Sequence, residues 1–100
     1  MNQVSLIGTL SAKGEVTKHN EKEYLKATVK IEKEYAGTVY KDLISLSLRG
    51  DNVFKALAID VGERVLVTGS LACREYTDKE SGEIRRSSTE VSVFQIESLN

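Results

Sequence analysis

Ile44-Ser45-Leu46-Ser47-Leu48-Arg49-Gly50-Asp51-Asn52-Val53-Phe54-Lys55-Ala56-Leu57-Ala58-Ile59 changes its period halfway along. Up to Arg49, apolar and polar residues alternate, the two-residue period of a strand with one wet face. Beyond Gly50, Val53, Phe54, Leu57 and Ala58 recur at helical spacing, and Asp51 reads as an N-cap. A strand therefore gives way to a short helix, with Phe54 expected in the core.

Working outward, the same strand begins at Thr38, after an Ala36-Gly37 turn that joins it to residues 23–34 as a hairpin. In that earlier segment Leu25, Ala27, Val29 and Ile31 face one way, and Tyr24, Lys26, Thr28, Lys30 and Glu32 the other. Upstream, residues 3–10 carry Val4, Leu6, Ile7 and Leu10, with a bend expected at Gly8, and residues 18–22 form a polar connection. Downstream of Gly62, one long strand sets Val65, Val67, Gly69, Leu71 and Cys73 against Leu66, Thr68, Ser70, Ala72, Arg74 and Tyr76. A polar tip at residues 78–83 returns the chain into a last strand bearing Val91, Val93, Phe94 and Ile96. Three strands, a helix and two strands make an all-β chain. Their order is that of a five-stranded Greek-key OB-fold barrel with one short helix between strands three and four, in a single domain over residues 1–100. An SH3-like barrel would leave the helix without a role.

With 100 residues, 40% of them hydrophobic and 29% charged, the chain can bury one modest core, which excludes a large enzyme and disorder alike. A lone Cys73, on the apolar side of its strand, cannot close an internal disulfide and reads as a packed thiol. His19 is the only histidine, so metal sites and Ser-His nucleophiles lack partners; the singly scattered glycines make no phosphate loop. No catalytic group, metal or cofactor is expected. No apolar run approaches the ~20 residues that cross a bilayer, and the start lacks the layout of a signal peptide. The expected location is the cytoplasm, without membrane contact. A net charge of -1 means that any phosphate-binding surface must arise by segregating interleaved charges on folding.

The opening Met1-Asn2-Gln3-Val4-Ser5-Leu6-Ile7-Gly8-Thr9-Leu10 resembles the start of the bacterial and phage single-stranded DNA-binding protein family. Residues 61–71, with Gly62 and Gly69 bracketing a strand, resemble that family's fourth strand. Arg74-Glu75-Tyr76-Thr77-Asp78, Gly82 and Ser88-Thr89-Glu90-Val91 fall where the family places its arginine-aromatic-x-Asp and Thr-Glu-Val elements. The resemblance spans nearly the whole chain. It implies bases stacked on aromatics, commonly Trp in the family and here Tyr35, Tyr40 and Tyr76, in a homodimer or homotetramer. The loop before Tyr40 is shorter than the family's usual one. Ending at Asn100, without a Gly/Pro-rich linker and acidic tip, the sequence is expected to be phage-encoded and to work in the host cytoplasm.

Stacking needs exposed rings beside cations. Beyond those three tyrosines, Tyr24 reaches the wet face with Lys26 and Lys30. Arg74, Arg49, Lys33, Lys41, Arg85 and Arg86 are the candidate phosphate contacts; solvated charges or cross-strand pairs with Glu are the competing interpretation. Strict alternation places Tyr35 with Ile31 and Tyr40 with Ile44, so either a bulge intervenes or those two rings are buried. Glu32, Glu34 and Glu75 must point away from the groove. The expected function is binding of single-stranded DNA, largely without sequence specificity, protecting it during replication, recombination or repair, with replication or recombination proteins as further partners. Two rivals share the barrel: a primosome-type accessory bridging DNA and a replication protein, and a protein-interaction module.

Overall fold

The computed structural model describes residues 1–73 and 75–100. Strands β1 (Val4–Lys13), β2 (Thr17–His19), β3 (Lys22–Tyr35) and β4 (Thr38–Arg49) precede helix α1 (Asp51–Leu57). After it come β5 (Arg64–Ala72), β6 (Glu75–Thr77), β7 (Ile84–Arg86) and β8 (Glu90–Ser98). Five of these close a barrel in the order β1-β5-β8-β4-β3, with β3 returning to β1. The helix thus lies between β4 and β5, not between strands three and four. The difference is β2, which forms where the sequence reads as a polar connection because Asn20 and Glu21, both at positive φ, turn it back onto β3. The sequence-predicted long strand also divides. It stops at Ala72, and Tyr76 belongs to a separate hairpin, β6 with β7.

Closure depends on β1 changing partners. Its first half pairs with β5 and its second with β3, and Thr9 is opposite both Arg64 and Lys30. The register slips between Leu10 and Ala12, where Ser11 Oγ donates to the Thr28 carbonyl at 3.1 Å. The irregularity expected at Gly8 therefore falls at Ser11, three residues further on. Gly8 instead permits close crossing, since a Cβ there would lie 2.6 Å from the Lys30 carbonyl oxygen. A short parallel pairing, Leu46 with Val91 and Ser47 with Ser92, completes the ring.

The alternating apolar faces fill this ring. Leu10, Leu25, Val29, Leu46, Leu48, Val65, Val67, Val91 and Ile96 are buried, and α1 plugs one end with Val53, Ala56 and, just beyond it, Ile59. Phe54 is not in this core. It is 55% exposed, because a seven-residue helix has one narrow buried stripe and Val53 and Ala56 occupy it. Nor does Asp51 cap the helix: Gly50, at φ 62°, holds the cap position without a side-chain bond, and Asp51 supplies negative charge to the first turn. At the other end Lys13 Nζ donates to the Ile59 carbonyl at 2.6 Å and lies within 3.5 Å of those of Ala56 and Leu57, tying β1 to the helix terminus. Cys73 is exposed rather than packed, since it lies past the end of β5; its thiol donates to the Ser87 carbonyl at 2.9 Å.

The β3–β4 turn is a two-residue loop in which Ala36 (φ 52°) and Gly37 (φ 81°) are both left-handed. Asn-Gly suits that geometry better than Ala-Gly. Ala36→Asn is expected to raise unfolding free energy by about 0.5–1 kcal/mol in urea titrations. Gly69→Ala should lower it by about 3 kcal/mol, because its methyl would collide with the Ser92 carbonyl oxygen inside the β5–β8 ladder.

Candidate functional site

The β3–β4 pairing runs without a break from Tyr24 opposite Arg49 to Tyr35 opposite Thr38. Only its first half covers the core; the rest is an arm extending past the barrel. Opposed residues share a face. One face therefore carries Tyr24 with Arg49, Lys26 with Ser47, Thr28 with Ser45, Lys30 with Leu43, and Glu32 with Lys41. The other continues the core parity through Ile31 and Asp42, then Lys33 with Tyr40 and Tyr35 with Thr38.

This explains the parity of Tyr35 and Tyr40 without a bulge or burial. Both keep the core-facing parity, yet they are 74% and 47% exposed because there is no barrel beneath that part of the arm. Lys33, opposite Tyr40, is held by Asp42 at 3.0 Å. Lys41 lies on the reverse side, together with Leu43. The three tyrosines expected to share a groove are thus divided, with Tyr35 and Tyr40 on one face of the arm and Tyr76 elsewhere.

Tyr76 shares a cleft with Tyr24 instead. A cleft of about 620 Å³ separates the base of the β3–β4 hairpin from β6. Tyr24, Lys26, Ser47 and Arg49 contribute from one side, Glu75 and Tyr76 from the other, and Ala72, Glu90 and Ser92 between them, with Ser87 and Ser88 also present. Each ring has an arginine as its cross-strand neighbour: Arg49 opposite Tyr24, and Arg85 opposite Tyr76. Such pairs place a π-face and a cation on the same side of a strand pair, as base stacking beside a phosphate requires. Arg85 is oriented by Asp78, whose carboxylate lies 2.9 Å from Nε, with Glu83 3.6 Å from Nη2. Arg86 is exposed opposite Glu75. Arg74 lies outside the described residues. Among the described residues, Lys41, Arg49 and Arg86 take part in no ion pair, and no group of three His, Cys, Asp or Glu side chains converges on a metal position.

Two features escape the sequence reading. Glu75 contributes to the wall of the cleft beside Tyr76, because both belong to β6, an independent hairpin strand whose orientation β5 does not dictate. Leu43, 68% exposed, lies on the polar face between Lys30 and Lys41. Its signal is visible in retrospect: it is an apolar residue at the polar parity of Ser45 and Ser47.

A closed barrel of this strand order, plugged by a helix and flanked by Tyr–Arg pairs, is an OB fold with a surface suited to nucleic acid. The Single-strand binding protein family model matches residues 1–99, and the chain belongs to that family. Among solved structures it is similar to the Plasmodium falciparum SSB complex with ssDNA, with a TM-score of 0.78 and 17% identity, covering 100% of this chain and 96% of that one. At that identity the likeness is one of fold. No curated protein matches.

Because Leu43 lies over solvent, Leu43→Ser should change unfolding free energy by less than about 0.5 kcal/mol in a chemical melt, separating any binding defect from a folding one.

Proposed function

We propose that this protein binds single-stranded DNA, largely without sequence specificity, along the face that runs from the Tyr24–Tyr76 cleft onto the Leu43 side of the arm. The observation that carries this reading is the Tyr24–Arg49 couple set across one cleft from Tyr76. Bases stack on Tyr24 and Tyr76 and pack on Leu43; Arg49, Arg85, Arg86 and Lys41 neutralise phosphates and release counterions. A strand so held is kept from reannealing and folding back, which suits replication, recombination or repair in the cytoplasm of a phage-infected host. Family membership supports the reading, as does the similar Plasmodium falciparum protein, described in complex with ssDNA.

Tyr35, Tyr40 and Lys33 then act as a second contact on the reverse face of the arm, engaged only by a strand long enough to pass around it. One OB barrel covers on the order of 4–16 nucleotides, so coverage of longer DNA proceeds through several copies, as a homodimer or homotetramer.

Titration with oligo-dT, followed by anisotropy at several salt concentrations, tests this. Affinity should fall with a log-log slope of about -0.7 per neutralised phosphate. Absence of saturable binding at low salt would reject the function. Tyr76→Ala and Tyr24→Ala should each cost about 1–3 kcal/mol of binding to short oligomers. Tyr35→Ala should weaken only longer ones, and an equal loss on both lengths would place the two faces in one groove.

A further inference from the structure

Two of the described hairpins carry the same three-residue unit. In Tyr40-Lys41-Asp42 the ring lies directly opposite Lys33, and Lys33 Nζ reaches diagonally to Asp42 Oδ2 at 3.0 Å. In Tyr76-Thr77-Asp78 the ring lies opposite Arg85, whose Nε reaches diagonally to Asp78 Oδ2 at 2.9 Å. Residues two apart on a strand share a face, so ring, cation and carboxylate stand on one side of each hairpin. Asp78 is itself held in place: its Oδ1 accepts from Glu80 N at 2.8 Å, and its side chain is 27% exposed against 51% for Arg85. Glu83 Oε2, 3.6 Å from Arg85 Nη2, adds a weaker contact.

A cation directly across a strand pair from a tyrosine has a competing place to rest, over the face of the ring. A base stacks on that same face. Drawing the ammonium or guanidinium two residues along the strand clears the ring and still keeps the positive charge beside it; Tyr40 and Tyr76 are 47% and 52% exposed. The described contacts of Arg85 leave its Nη1 donors for a phosphate. Resting on the single-stranded DNA reading above, we infer that Asp78 and Asp42 are positioning residues. Each holds a cation off the neighbouring tyrosine, so that a base stacks on the ring while the adjoining phosphate meets the cation. A carboxylate near a polyanion ordinarily weakens binding by repulsion. At these two positions its loss weakens binding instead.

Asp78→Asn removes the charge that holds Arg85, while the remaining side-chain oxygen can still accept from Glu80 N. Affinity for short dT oligomers should fall about threefold, the order of one exposed cation–π contact that a base must displace. Asp78→Glu, which keeps the carboxylate, should recover most of that loss. In a Tyr76→Ala background Asp78→Asn should have no further effect, since the carboxylate acts through the ring. An equal loss in that background would overturn the inference and make Asp78 a structural residue of the hairpin tip. Asp42→Asn should weaken only the longer oligomers that reach Tyr40; a matching loss on short ones would count against it. Tighter binding by Asp78→Asn, with a salt slope steeper by about 0.7, would overturn the inference by making the carboxylate a mask over Arg85. Unchanged affinity in both Asn variants would overturn it as well. Failure of the unsubstituted protein to bind any oligomer would instead refute the function on which the inference rests, and the inference with it.

Discussion

The unbroken register between β3 and β4 is the constraint on which the rest of the molecule depends. Because side chains alternate strictly along both strands, one register decides at once which residues fill the barrel and which face solvent. Leu25, Ala27, Val29, Ile44, Leu46 and Leu48 share the inner side, and Tyr24, Lys26, Ser47 and Arg49 the outer. A slip of one residue would put Tyr24 and Arg49 into the core and its leucines into the cleft. Core packing and binding surface are therefore specified by the same set of hydrogen bonds, and the apolar side, with more to lose from exposure, holds the polar side in place.

That register outruns the barrel. Beyond Ile31 and Asp42 the hairpin has the geometry of a barrel strand pair but no opposing layer, so positions that would be interior become a second outer face. An arm with two wet faces can meet a polymer on both, and a strand passing around it contacts Leu43 and Lys41 on one side, then Tyr40 and Tyr35 on the other. A protein of net charge -1 can bind a polyanion in this way because its cations need not form one basic patch; they are distributed beside rings, where each acts over a short distance.

Within the cleft Lys26 is paired with Glu90, while Arg49, on the same wall, has no carboxylate partner among the described residues. The cleft depends on chain segments far apart in sequence, at β3, β4, β6 and β8, meeting around one concavity.

Period and spacing within the sequence determined the strand faces, the switch to a helix after Arg49, the composition of the core and the candidate rings, because these are local consequences of alternation and of burying apolar area. Family resemblance was legible for the same reason, in short runs such as residues 1–10 and 61–71. Tertiary structure alone decided the extra strand β2, the break after Ala72 that exposes Cys73, the displacement of Phe54 from the core, and the division of the tyrosines between two faces. Parity assigns a side chain to a side of a strand but cannot say whether another layer covers that side; only barrel closure, a long-range pairing of β1 with both β3 and β5, determines where cover ends and the arm begins.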